Sequence, residues 1–167
     1  MNFEISDIIT RRIEQQDVGL LVEYRLKYLA ELQGEQAIQN VVATRKMLEN
    51  YFTDAIKQNR FFAFATEIGG VVVGFGGMVV KEIPGDFSQA IYLEGDILNM
   101  YTVPFARRKG ISQMILNALL NEAVLRGISK VALHTSKDGE HLYRKNGFAE
   151  PVYPYLELVI SPENFKH

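Results

Sequence analysis

No cysteine and no tryptophan occur in the 167 residues. Without thiols there is no disulfide, no thiolate zinc or iron–sulfur site and no cysteine nucleophile. The three histidines, His134, His141 and His167, have no partners at metal-ligand spacing, so no metal is expected. Five prolines and 13 glycines are too few for a collagen-like or low-complexity chain. No apolar run approaches the ~20 residues of a membrane span. The start, Met1-Asn2-Phe3-Glu4-Ile5-Ser6-Asp7, is acidic and lacks the basic region that opens a secretory signal. An excess of positive charge is missing too: the net charge is −2, which gives no electrostatic reason for a nucleic-acid partner. The expectation is a cytoplasmic protein with no membrane and no nucleic-acid partner.

What is present is an ordinary globular balance, 47% hydrophobic and 23% charged, at a length that fits one domain over 1–167. The charge is unevenly spread. Residues 1–97 carry 9 basic and 14 acidic side chains, and residues 98–167 carry 9 and 6. Such halves suit a cationic and an anionic ligand respectively, with scattered surface charge as the plain alternative.

Periodicity predicts strands at 8–14, 61–67, 71–81, 91–103, 130–134 and 152–160. Helices are expected at 17–32, 40–58, 110–126 and 138–146. Asp17 is the expected cap of the first helix, Gly34 its stop, and Val18, Val22, Leu26, Leu29 and Leu32 its apolar stripe. Gly69-Gly70 marks a turn between strands, Gly127 stops the third helix, and Gly147 stands where a left-handed cap belongs. The order βααβββαβαβ is an α/β (α+β) mix with helices covering a central mixed sheet.

The segment richest in chemistry is Asn99-Met100-Tyr101-Thr102-Val103-Pro104-Phe105-Ala106-Arg107-Arg108-Lys109-Gly110-Ile111-Ser112. It reads as a strand, a basic turn, a glycine and the start of a long helix. A helix start presents unpaired N–H groups and the positive end of the dipole, which suits a pyrophosphate, and glycine permits close approach. Taken alone, a basic turn before a helix is usually a solvated surface. The glycine, lysine and hydroxyl spacing of a P-loop is absent.

These residues resemble the acetyl-CoA signature of the GNAT superfamily of N-acetyltransferases, Q/R-x-x-G-x-G/A. Arg107 matches the first position and Gly110 the glycine, while Ser112 stands where Gly or Ala is usual. Leu142-Tyr143-Arg144-Lys145-Asn146-Gly147-Phe148 matches the family's second motif, L-Y-x-x-x-G-F, in the expected order. The resemblance implies an acyl-CoA N-acyltransferase fold that uses acetyl-CoA to acetylate a primary amine. It places the pantetheine arm between splayed fourth and fifth strands, paired to backbone groups of Tyr101 and Val103. It further implies a thioester polarised by an N–H near Met100 or Tyr101, and a pyrophosphate held by the amides of Arg107, Arg108, Lys109, Gly110, Ile111 and Ser112. Direct attack on the thioester requires no cysteine. Homodimers are common in the family, so a dimer is expected.

Tyr143 occupies the family's general-acid position; residue type alone favours a core or interface tyrosine with its hydroxyl satisfied. Candidate bases are Asp96 and Glu94, two apart on the strand before the signature and therefore on one face, or else exposed strand carboxylates. Arg25, beside the first helix's stripe, is a candidate for an acidic group of the acceptor, or a snorkelling arginine. A compact chain with no further binding domain favours a small-molecule acceptor. The alternatives are a non-catalytic acyl-CoA sensor and an interaction protein on the same fold.

Overall fold

The computed structural model describes residues 8–160. The chain divides into two compact units, one reaching His134 and one beginning at Thr135. In the first, β1 (Ile8–Arg12) leads into two helices, α1 (Val18–Gln33) and α2 (Ile38–Lys57). Three strands follow, β2 (Phe61–Ile68), β3 (Val71–Pro84) and β4 (Ile91–Thr102), then helix α3 (Ile111–Leu125) and strand β5 (Ile128–Ala132). The five strands form one sheet in chain order, antiparallel from β1 to β4, with β5 parallel to β4.

Local chemistry sets these boundaries. Gly69 and Gly70 form a two-residue hairpin loop with φ of 56° and 77°, the double positive φ that matches strand twist and that glycine supplies without strain. Gly34, at φ 78°, ends α1. Asp17 has a different partner from the one expected. It closes a 3-10 turn, where its carboxylate accepts the Glu14 N–H at 2.9 Å and pairs with Arg11, and it makes no side-chain cap on α1.

Neighbouring strand residues point to opposite faces. On one face Phe75 meets Tyr24 of α1, and Phe61 meets Phe52 of α2. On the other, α3 lies so close that a Cβ on Gly74 would sit 2.7 Å from Ile111 Cγ2, and one on Gly76 would sit 2.7 Å from Ile115 Cγ2 and clash with Met100 Sδ. Ile111, Ile115 and Leu119 are fully buried there. Alanine at Gly76 must therefore displace the Met100 and Ile115 side chains. We expect a loss of ~1–3 kcal/mol, the usual cost of overpacking, read as a lower denaturation midpoint at unchanged slope. An unchanged midpoint would show that the contact is slack.

The expected stripe of α1 holds over its first half only. Val18 and Val22 are buried with Leu21 and Tyr24, whereas Leu32 is 62% exposed.

The second unit contains α4 (Lys137–Lys145), capped by Ser136 accepting the Gly139 N–H at 3.3 Å. The strand expected at 152–160 is not formed, so the element order ends on α4. Pro154 removes a ladder donor from within that segment, and residues 151–160 are exposed throughout.

Candidate active site

Two departures from regular structure create the site. The first is in β4. Register jumps between Phe75↔Tyr101 and Gly77↔Leu98, so Asn99 and Met100 together stand opposite Gly76. This is a β-bulge, and Asn99 takes the left-handed φ of 64° within it. The second is the parting of β4 from β5. Their ladder runs from Leu93↔Ile128 to Asp96↔Ala132 and ends there. Beyond Asp96 the outer edge of β4 faces no strand of the described residues.

The parity of that edge corrects one expectation. Val103 donates its N–H to Val73 O at 2.9 Å, and its own carbonyl accepts the Ala106 N–H at 2.9 Å. Val103 is thus committed within the protein. Antiparallel alternation turns Tyr101 the same way, toward Phe75, and leaves Met100 and Thr102 facing the open edge. The Tyr101 side chain is structural as well. It lies among Tyr24, Tyr28 and Phe75, and its hydroxyl donates to Glu31 at 2.6 Å.

Beyond β4 comes the basic turn. Arg108 (φ 64°) and Gly110 (φ 80°) are both left-handed, with Lys109 between them. Such alternation turns successive N–H groups into a concave anion-binding nest, and it runs straight into the start of α3. Among the described residues no acceptor meets the N–H of Arg108, Gly110, Ile111 or Ser112. A Cβ on Gly110 would meet nothing within 4 Å, so the space over the turn is open. The Ser112 hydroxyl lies 3.0 Å from that of Thr102 and ties the helix start to β4. These features fit an acyl-CoA: a strand edge that faces no neighbouring strand among the described residues for the pantetheine amides, and a nest and helix start for the pyrophosphate.

Arg107 serves the turn itself. Its Nε donates to Thr102 O at 2.8 Å, its other arm pairs with Glu31 at 2.7 Å, and its guanidinium lies 5.7 Å from the Tyr101 ring centre. The Tyr101 hydroxyl and then Arg107 hold the Glu31 carboxyl below its ordinary value. Burial, followed by Glu31, pushes Tyr101 up to about 12, so it remains a donor at ordinary pH. For Glu31 the sign is that of a depressed carboxyl. The stabilisation is complete above the unfolded value near ~4.3 and is lost as pH falls through the lower folded one. The gap in thermal midpoint between the wild type and Glu31→Gln is therefore expected to close below about pH 4; a gap that persists in acid would mean that the carboxylate is not what holds the turn.

Glu94 and Asp96 share a face, as their spacing predicts, opposite Lys81 and Val79 of β3. Each meets a lysine: Asp96 pairs with Lys81, and Glu94 with Lys130 at 2.6 Å. Asp96 is the nearer to the bulge. Arg25 is half-buried on α1, 5.5 Å from the Tyr28 ring centre, and ion-pairs with no carboxylate among the described residues. Burial lowers its guanidinium below the ordinary value. A cavity of about 950 Å³ opens at the far end of α3, lined by Arg12, Arg60, Leu93 and Arg126 among others, away from the turn at Gly110.

In the second unit, Tyr143 is 7% exposed on α4. Gly147, at φ 89°, reverses the chain so that Phe148 donates to Tyr143 O at 3.1 Å and Gly147 to Arg144 O at 3.1 Å. The Phe148 ring meets Tyr143 edge-on at 5.6 Å. The spacing of Tyr, Gly and Phe in this motif is that of a left-handed helix cap with its apolar contact.

Residues 26–148, in both units, match the acetyltransferase (GNAT) family. The chain belongs to that family. Among solved structures, a predicted acetyltransferase of Clostridium acetobutylicum, solved with acetyl-CoA, is 30% identical to this GNAT chain. The match covers 91% of this chain and 96% of that one, at a TM-score of 0.78. A GCN5-related N-acetyltransferase of Ralstonia eutropha JMP134 is 24% identical over 90% and 98%, at a TM-score of 0.72. An aminoglycoside acetyltransferase from an uncultured soil sample, in complex with sisomicin, shares the fold at 14% identity over 93% and 98%, with a TM-score of 0.68. No protein of curated function matches the chain. Membership supports acetyltransferase activity, and no helix among the described residues is long and apolar enough to cross a membrane.

Two residues of this GNAT site escape a reading by motif. Asn99 had one signal, a lone amide in an apolar run. Glu31 had none, since its partners lie 70 and 76 positions away.

Proposed function

We propose that this protein moves the acetyl group of acetyl-CoA to a primary amine of a small molecule, by direct attack and within one domain. The observation that carries this reading is the open edge of β4 leading into the left-handed turn at Arg108 and Gly110. Edge groups of Met100 and the N–H of Thr102, whose carbonyl already accepts from Arg107, hold the pantetheine arm, and the amides from Arg108 to Ser112 hold the pyrophosphate.

An alkylammonium has a pKa near ~10.4, so the acceptor must lose a proton before its nitrogen attacks. Asp96 takes that proton, with Glu94 as the second candidate. The nitrogen lone pair forms the C–N bond, the tetrahedral carbon collapses, and the C–S bond breaks. The departing thiolate, of a thiol with pKa near ~8.5, takes a proton from Tyr143, and the second proton shed by the amide nitrogen restores the tyrosine through solvent. Arg25, a half-buried cation with no carboxylate partner, favours an acceptor that carries a carboxylate beside its amine. The reading includes a cytoplasmic homodimer, for which Tyr155, Leu156 and Leu158 offer exposed apolar surface.

The test is thermal unfolding across an acetyl-CoA series, followed by an amine panel scored by thiol release. A saturable rise in midpoint is expected, with turnover on amino-acid-like amines and a sedimenting species of twice 19.0 kDa. No shift at millimolar acetyl-CoA would overturn the donor; a shift with no thiol release from any amine would leave a sensor. A 19.0 kDa species at micromolar concentration would remove the dimer.

A further inference from the structure

Asn99 is 5% exposed, and neither its Nδ2 nor its Oδ1 has a hydrogen-bond partner. Leaving a buried amide unpaired is costly, because nothing in the protein offsets its loss of water. Its backbone adds to the cost, because φ of 64° is a conformation glycine holds without strain. Glycine would thus serve the bulge better on both counts. The free protein gains nothing visible from this side chain.

Its position indicates what the amide serves. Asn99 lies three residues past Asp96, the last residue of β4 laddered to β5, so it sits at the closed end of the parted strands. The nest at Arg108 and Gly110 lies at the other end. From Asn99 to Val103, β4 advances about 13 Å. A donor fixed by its pyrophosphate at the turn and paired along Thr102 and Met100 brings its far end, the thioester, to Asn99.

We propose that the Asn99 carboxamide donates from Nδ2 to the carbonyl oxygen of the acetyl thioester and strengthens that bond as the oxygen gains charge during attack. This rests on the acetyl-CoA reading above. A neutral amide in a buried site is already oriented when charge develops, and it carries no cation that would hold the incoming amine protonated. Oδ1 of the same group is an acceptor beside the carbon under attack, where the amine presents its N–H. Both orphaned atoms then have partners in the reacting complex.

The test titrates the wild type, Asn99→Gly and Asn99→Asp with acetyl-CoA and with CoA, and records the carbonyl ¹³C resonance of bound [1-¹³C]acetyl-CoA. Glycine keeps the left-handed backbone and removes the amide; aspartate keeps the shape and reverses the donor. The unliganded thermal midpoint of Asn99→Gly is expected to be no lower than that of the wild type. CoA affinity should stay within about twofold, while the preference for acetyl-CoA over CoA falls and the resonance returns toward its free value. With any amine that turns over, kcat should drop about 10²-fold or more. Asn99→Asp should lose the same preference. A bound resonance in Asn99→Gly equal to that of the wild type would overturn the proposal, and so would a lost midpoint with donor preference intact. A wild type that binds neither acetyl-CoA nor CoA would instead bring down the parent reading.

Discussion

Aspartate in place of Gly110 is expected to abolish acetyl-CoA binding while the protein stays folded. The two halves of this result have separate causes. A Cβ at Gly110 meets no protein atom within 4 Å, so no clash disturbs the sheet or α3. Gly110 is the N-cap of α3, and aspartate is among the residues that stabilise a helix from that position. Against this stands the left-handed φ of 80°, which costs a non-glycine residue about 1–2 kcal/mol. The unliganded midpoint should therefore move little. The ligand meets a different balance. A carboxylate ~5 Å from a pyrophosphate charge opposes it by about 3 kcal/mol at an effective dielectric of ~20. It also fills the open side of the turn and offers its own oxygens to the N–H groups the phosphates require. Binding should weaken more than ~10²-fold, since each ~1.4 kcal/mol is tenfold. The readout is the rise in thermal midpoint with acetyl-CoA, present in the wild type and absent in the variant. Gly110→Ala, with the strain but no charge, should keep a reduced rise. Undiminished affinity in Gly110→Asp would show that the pyrophosphate lies elsewhere.

Gly110 was legible in the sequence because its function follows from local chemistry: a glycine after a basic turn and before an apolar helix. The same is true of Gly34, Gly69, Gly70 and Gly147, whose positive φ values end helices and close a hairpin. Properties that depend on distant partners were not legible. The bulge at Asn99 and Met100 arises from the register between β4 and β3. The resemblance assigns the donor to backbone groups of Tyr101 and Val103, and a uniform strand over 91–103 would turn those outward; the bulge reverses that parity. Arg107 matched its motif position, yet its side chain is spent on Thr102 and Glu31. The apolar alternation at 152–160 reads as a strand by pattern, but a strand needs a paired edge, and the proline at 154 withholds a donor.

Replacing Tyr143 by phenylalanine should lower kcat by about 10²–10⁴-fold, the span of a lost general acid, and leave acetyl-CoA affinity unchanged. What makes this variant informative is the structural role of the same residue. The motif around Tyr143 builds a helix cap, in which the Tyr143 carbonyl accepts the Phe148 N–H and its ring packs against Phe148. Phenylalanine preserves the carbonyl, the ring and the contact with Phe148, so α4 and its cap should persist. Only the hydroxyl is removed. If Tyr143 were no more than a cap residue, kcat would survive. If it protonates the departing sulfur, kcat falls at constant KM and the variant shows the stronger dependence on leaving-group acidity, since a thiolate that must depart without its proton leaves more readily when its thiol is more acidic. Acetyl thioesters of graded thiol acidity, compared in wild type and Tyr143→Phe, separate the two. Equal kcat values across that series would place the proton donor on another residue and leave Tyr143 to the architecture of α4.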